Sequence, residues 1–160
     1  TCIDPNPDML SLCKQRLSMH PNISFEQAYA EELPTMPLAD RLILSFGLRN
    51  FTDPQQALRQ INRSLKMGGK LVIVEFNPPQ ATALPFHYDL YLHHIIPFLG
   101  HMISQDQDSY QYLADSIDRQ PLPDERIKHI QDAGFDFVYH TPLTFGIVGL
   151  FEAYKCHDIK

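Results

Sequence analysis

An α/β fold built on a mostly parallel sheet is what this sequence predicts, and three observations predict it. Strand-like and helix-like segments alternate from Thr1 to Phe76 in the order β-α-β-β-α-β. Leu42-Ile43-Leu44-Ser45-Phe46 and Leu71-Val72-Ile73-Val74-Glu75-Phe76 are near-continuous apolar runs, the pattern of strands covered on both faces. Polar residues then gather in Gly47-Leu48-Arg49-Asn50, at the strand end where open α/β sheets bind ligands.

Each element can be justified in turn. Thr1-Cys2-Ile3-Asp4 reads as the last residues of a strand already under way, and Pro5 and Pro7 turn the chain. Asp8 caps a helix expected to run to about Leu17, with Met9, Leu10, Cys13 and Leu17 at helical spacing. Ile23 to Glu26 is a short strand. Ala30-Glu31-Glu32-Leu33-Pro34 is a loop or short turn, since Pro34 and Pro37 block any long helix. After the strand at 42–46, a helix from Asp53-Pro54 to Lys66 is capped by Thr52 or Asp53. It buries Ala57, Leu58, Ile61 and Leu65. Gly68 and Gly69 are expected to terminate it before a strand from Lys70 to Phe76. Two or three helices, near 84–96, 98–104 and 106–118, interrupt the alternation. A helix from Asp124 to Ala133, a strand from Phe135 to His140 and a strand from Gly146 to Tyr154 complete the chain. With no internal repeat and no linker, the 160 residues form one domain, carrying a helical insertion at about 84–119.

Composition excludes several function classes. A net charge of -6 with no basic face is wrong for a nucleic-acid partner. No apolar stretch approaches the ~20 residues a membrane helix needs, and no secretory leader pattern is found. Cys2, Cys13 and Cys156 have neither metal-ligand spacing nor an even count, which points to a reducing cytoplasm. The eight histidines also lack zinc-type spacing, and adjacent His93 and His94 point about 100° apart on a helix. No metal site is expected.

Four stretches together resemble the ubiquinone/menaquinone biosynthesis C-methyltransferase family, which has the Rossmann-like class I methyltransferase fold. They are Ala30 to Pro34; Ser45 to Asn50; Arg63-x-Leu65-Lys66-x-Gly68-Gly69 leading to Glu75; and Ser109-Tyr110-x-Tyr112-Leu113-Ala114-x-Ser116-Ile117. Tyr88-Asp89, His94, Pro97, Leu143-Thr144-x-Gly146 and Tyr154-Lys155 also fit, so the resemblance covers essentially the whole chain. A Lys-x-Gly-Gly is common among methyltransferases. The Phe-Gly-Leu-Arg-Asn and Ser-Tyr-x-Tyr-Leu-Ala segments are far more specific.

The chain also departs from the family pattern. The family's first strand, the glycine-rich loop that wraps the cofactor's methionine part, and the helix after it are missing upstream of Thr1. A fragment of a longer protein is therefore expected. Tyr29 stands where the family often has Asp or Asn, Met67 where it has Pro, and Asn77 where it has Ser. Phe151-Glu152-Ala153 replaces a basic, His-containing tripeptide, and Met36 to Asp40 is a shortened form of the run before the fourth strand.

The resemblance implies an S-adenosyl-L-methionine-dependent transferase that methylates a ring carbon of a polyprenyl quinol. Asp4 would hold the ribose hydroxyls, although an Asp beside Pro5 is also a common turn residue. Tyr29 and Ala30 would lie against the adenine, and Ser45 would line the pocket near the methionine moiety. Methyl transfer to carbon needs an electron-rich ring, so the site should stabilise a phenolate and then accept the ring proton. Arg49 cannot readily act as a base but can hold an oxyanion, and Asn50 can orient the same oxygen or a water. The plainer alternatives are a helix-capping Asn50 and a surface ion pair for Arg49. Asp89, His94 and Tyr110 are the candidate proton acceptors. The implied location is the cytoplasm, with peripheral contact at the inner membrane face if the substrate's tail is long. A homodimer or a quinone-biosynthesis complex is the implied assembly. The competing reading is a catalytically incompetent relative that keeps a structural or scaffold role.

Overall fold

The computed structural model describes residues 1–34, 37–95 and 107–157. Its strands fall into two sheets. β1 (Cys2–Ile3) pairs in parallel with β2 (Phe25–Glu26), and α1 (Pro7–Arg16) connects them. The second sheet has the order β3 (Ala39–Ser45), β4 (Leu65–Phe76), β6 (Val148–Tyr154), β5 (Phe137–Leu143). β3 and β4 are parallel across the crossover helix α2 (Pro54–Arg63), whereas β6 is antiparallel to both neighbours. The expected parallel pairs with a C-terminal antiparallel strand are therefore found.

Between β4 and the last hairpin lie α3 (Pro85–Leu90), which continues as a π turn over Tyr91–Ile95, then α4 (Gln107–Asp118) and α5 (Pro123–Asp132). The first and third helices of the expected insertion match α3 with its π turn and α4. The one expected at 98–104 lies outside the described residues.

Several boundaries differ from the sequence expectation, each for a physical reason. Asn6, two residues before Asp8, caps α1: its Oδ1 accepts the Asp8 and Met9 N–H groups, which leaves Pro7 at a position that lacks a donor anyway. α2 ends at Arg63 rather than Lys66, and the strand begins at Leu65 rather than Lys70. The glycine pair makes a bulge instead of a helix stop. Ala39 pairs with Leu65 while Arg41 pairs with Lys70, so residues 66–69 stand out of the ladder. Gly68 has φ 76°, and a Cβ on Gly69 would come 2.7 Å from the Lys66 carbonyl. The Lys155 carbonyl accepts the Gly68 N–H, and the Lys155 N–H donates to Gly69, which pins the bulge to the chain's C-terminal segment.

β3 was expected to be covered on both faces, yet Ile43 is 76 % exposed. Of the strand's apolar side chains Ala39, Leu42 and Leu44 reach the core, while Ile43 points to the opposite face, and β3 is an edge strand among the described residues. That core lies where α2 and α5 pack on the sheet, joining Leu58 and Ile61 to Leu71, Ile73, Ile130 and Phe151. Each such fully buried side chain contributes about 1.5–3 kcal/mol. A second cluster of Tyr88, Leu92, Ala114 and Ile117 packs α3 and α4 against Phe76 and Ile147, near the C-terminal end of β4. Burial, helped by the Asp118 charge, pushes the Tyr88 hydroxyl up to about 12, so it stays protonated.

Candidate functional site

The C-terminal end of β3 is held in an unusual backbone state. Phe46 has φ 53°, a left-handed conformation that costs a bulky residue about 1–3 kcal/mol and clusters at functional sites. Three contacts hold it. Its N–H donates to Val74 O at 2.8 Å, its carbonyl accepts from Arg49 Nη1 at 2.6 Å, and its ring meets Phe76 at 4.6 Å.

A single 3-10 turn, Leu48–Asn50, then presents Arg49 and Asn50. Glu75, completely buried near the end of β4, organises this turn. Its Oε1 accepts from Arg49 Nη1 at 2.9 Å and from the Phe76 N–H at 3.0 Å, while Oε2 accepts the Arg49 N–H at 3.3 Å. The Arg49 guanidinium also lies 5.6 Å from the Phe76 ring centre. A buried carboxylate needs such a partner, and here Arg49 supplies it through Nη1 and its own backbone N–H. Arg49 Nε is buried and has no partner among the described residues.

Two cavities meet at this turn. The first, of about 420 Å³, lies between β1 and β3 and is lined by Asp4, Tyr29, Ala30, Ser45, Gly47 and Asn50, with apolar Leu42, Ile61 and Leu71. The second, of about 560 Å³, lies between α2 and α5 and has Leu48, Arg49, Arg119 and Arg126 in its wall. Both fall within the ~300–1,000 Å³ range of ligand pockets.

The four residues expected around a cofactor thus share one cleft with Asn50, while Arg49 faces the neighbouring cavity. Tyr29 is 63 % exposed, so its ring is free to cover a ligand. Asp4 receives the Asn6 N–H on Oδ1, at 2.8 Å. Glu31, which sequence reasoning did not single out, ties the Ala30–Glu32 turn to α2 through the Thr52 N–H at 2.8 Å and the Asp53 N–H at 3.3 Å. The Asn50 Oδ1 accepts from Tyr112 Oη on α4 at 3.5 Å, the longest of these contacts.

The three candidate proton acceptors line neither cavity. Asp89 lies beside His93, 3.7 Å from its Nε2, and the same nitrogen is 2.8 Å from Asp118 Oδ2. His93 therefore clasps α4 to the π turn, while its neighbour His94 is exposed. Tyr110 is half-buried on α4. Sequence reasoning also missed Arg126. Only 1 % exposed, it donates to Asn77 Oδ1 at 3.0 Å and, through Nη2, to Phe76 O and Gln120 Oε1, each at 3.1 Å. Burial pulls it down to about 10, and Glu75 is the charge that opposes the fall.

Comparison with known proteins agrees with this architecture. The chain is 43% identical over 156 residues to the ubiquinone/menaquinone biosynthesis C-methyltransferase UbiE of Shewanella oneidensis, and 42% identical to that of Proteus mirabilis. In both cases the match takes in 95% of this chain and 62% of the relative, so the chain spans less than two thirds of their length. Among solved structures, human N-acetylserotonin methyltransferase in complex with SAM superposes with a TM-score of 0.64 at 21% identity, covering 96% of this chain and 39% of that one. The N-methyltransferase NodS of Bradyrhizobium japonicum, in complex with S-adenosyl-l-homocysteine, gives 0.63 at 12%, covering 97% and 65%. These two share the fold, which is the Rossmann-like class I methyltransferase fold. The model of the ubiE/COQ5 methyltransferase family matches residues 1–155, and the chain belongs to that family.

Proposed function

We propose that this chain provides most of an S-adenosylmethionine-dependent C-methyltransferase acting on a polyprenyl quinol ring in ubiquinone or menaquinone biosynthesis. The observation that carries the reading is the Glu75-braced turn, which sets Arg49 and Asn50 between two ligand-sized cavities in a chain of this family.

The first cavity fits the nucleoside end of the cofactor. Asp4 supplies a carboxylate for ribose hydroxyls, Tyr29 an exposed aromatic face and Ala30 a backbone N–H, above an apolar floor. Ser45 and Gly47 extend the same wall towards Asn50. When bound, S-adenosylmethionine supplies an electrophilic methyl group on sulfur.

The chain's own residues prepare the acceptor. Arg49, paired with Glu75, stabilises an ionised ring hydroxyl without itself losing a proton. Asn50, on the first cavity's side of the turn and bonded by Tyr112, orients the same oxygen or a water where the two cavities meet. Asp89, His94 and Tyr110 remain the proposed proton acceptors, working through water since none lines either cavity. Leu84, Phe86, Leu90 and Tyr91 stay exposed on and beside α3, which suits an isoprenoid tail or a membrane surface. Among the described residues no helix is long and apolar enough to cross a membrane, so such contact would be peripheral.

Calorimetric titration of the 160-residue chain with S-adenosylhomocysteine tests the reading. Saturable micromolar binding is expected. Absence of both heat and thermal shift would sink the reading of the first cavity as the nucleoside site. With activity in hand, Arg49→Lys should lower turnover about 10²–10³-fold while leaving that affinity nearly unchanged. Arg49→Ala is a poorer probe, because stranding buried Glu75 costs roughly 3–5 kcal/mol of stability. A large loss of cofactor affinity in Arg49→Lys would overturn the acceptor-side role.

A further inference from the structure

We propose that the cavity between α2 and α5 is an oxyanion subsite that takes the ionised hydroxyl of a phenolic methyl acceptor, with Arg126 and Arg119 forming its cationic wall beside Arg49. The proposal rests on the methyltransferase reading above and names the acceptor pocket and its further residues.

The charge arrangement carries it. Arg126 is a buried cation whose hydrogen-bond partners are all neutral: Asn77 Oδ1, Phe76 O and Gln120 Oε1. Its Nε has no partner among the described residues. Glu75 is the one carboxylate whose charge supports Arg126, and it is already salt-bridged to Arg49 at 2.9 Å. Two buried guanidiniums thus share one carboxylate, and Arg126 has no ion-pair partner of its own among the described residues. Buried charge without a counterion is unfavourable, and an anionic ligand relieves it.

The rest of the wall points the same way. The cavity opens at the N-terminal ends of two ten-residue helices, α2 at Pro54 and α5 near Glu125, where helix dipoles favour negative charge. The wall also holds two carboxylates, Asp53 and Glu125, each turned to a backbone N–H at its helix start and neither paired with Arg126. Asp53 Oδ1 accepts the Gln56 N–H, and Glu125 Oε2 accepts the Leu122 N–H. Exposed Arg119 stands at the edge and makes no ion pair among the described residues, so it can follow an entering anion. Apolar Leu48 and Leu58 supply a surface for a ring.

The test uses 4-nitrocatechol, a ring diol whose ionised hydroxyl is visible by absorbance. It should bind saturably to the full chain, and the bound dye should ionise at lower pH than the free dye. Arg119→Gln and Arg126→Met should each weaken binding about tenfold, the effect of losing one charged hydrogen bond. Arg119 is exposed, so its variant decides the matter even if Arg126→Met fails to fold. Equal affinity in Arg119→Gln, or a bound dye that ionises no more readily than free dye, overturns the proposal. So does inorganic phosphate that binds at matched ionic strength and excludes the dye, since the cavity would then take free anions. S-adenosylhomocysteine titrated into the same sample separates the two readings. Dye binding without cofactor binding would fail the methyltransferase reading and leave the subsite standing.

Discussion

His140 shows how one side chain carries the electrostatic stress of this site into stability. Its ring stacks on Phe151 at 4.6 Å, its Nε2 is buried without a partner among the described residues, and the Arg126 guanidinium lies 5.1 Å from the Phe151 ring centre. Burial first, and the Arg126 charge second, pull the imidazole below its ordinary 6.5, with Asp124 opposing. The folded chain therefore binds this proton less readily than the unfolded chain. Stability is full above pH 6.5 and falls as the pH drops through the depressed value. Urea midpoints from pH 7.5 to 5 should fall less steeply in His140→Phe than in the parent, and parallel curves would refute the assignment. Legibility at this scale follows the same physics. Arg49 and Asn50 stood out because polar residues after an apolar strand have little packing use. Arg126 did not, because a charge within Pro123–Asp132 looks like part of a solvated helix face. Its burial arises only when Phe76, Asn77 and Gln120 converge on it from two other segments.

Elements of this chain are ended and bent by residues whose roles depend on partners distant in sequence. Gly68 and Gly69 were read as a helix stop, yet Ser64 already ends α2 and the glycines form the β4 bulge. Only the bonds to Lys155, far along the chain, distinguish those two uses. Asp53 as the cap of α2 was legible, since its Oδ1 meets the Gln56 N–H three residues on and Pro54 fits the first turn. The last hairpin has a tighter requirement. A Cβ on Gly149 would sit 2.6 Å from the Phe151 ring and 3.0 Å from Asn77 Oδ1, the group that receives Arg126. Gly149→Ala should therefore destabilise by about 1–3 kcal/mol through overpacking. A lower thermal midpoint checks it, and an unchanged one would show that the ring moves aside freely.

On the scale of the whole molecule, the alternation of elements was enough to name the α/β class, whereas the division into two sheets was not. Periodicity shows that a run is apolar. It cannot show whether a neighbour covers it, so Ile43 looked like core. The backbone pattern makes that difference measurable. Phe46 N–H meets Val74 O, so in a parallel ladder Leu44 faces β4 while Ile43 and Ser45 turn their backbone groups to the open side. Cys2 and Asp4 likewise bond towards β2, which leaves Ile3 facing the same gap. Hydrogen exchange should be faster at the Ile43 amide than at Leu44 by roughly two orders of magnitude. Equal protection would mean that the β3 edge is covered. The Leu48–Asn50 turn has a consequence of another kind. The two cavities it separates have no lining residue in common, with Arg49 on one side and Asn50 on the other. In the proposed methyltransferase these are the acceptor side and the nucleoside side. One three-residue partition then lets substitutions that change the ring taken leave the hold on the methyl donor untouched.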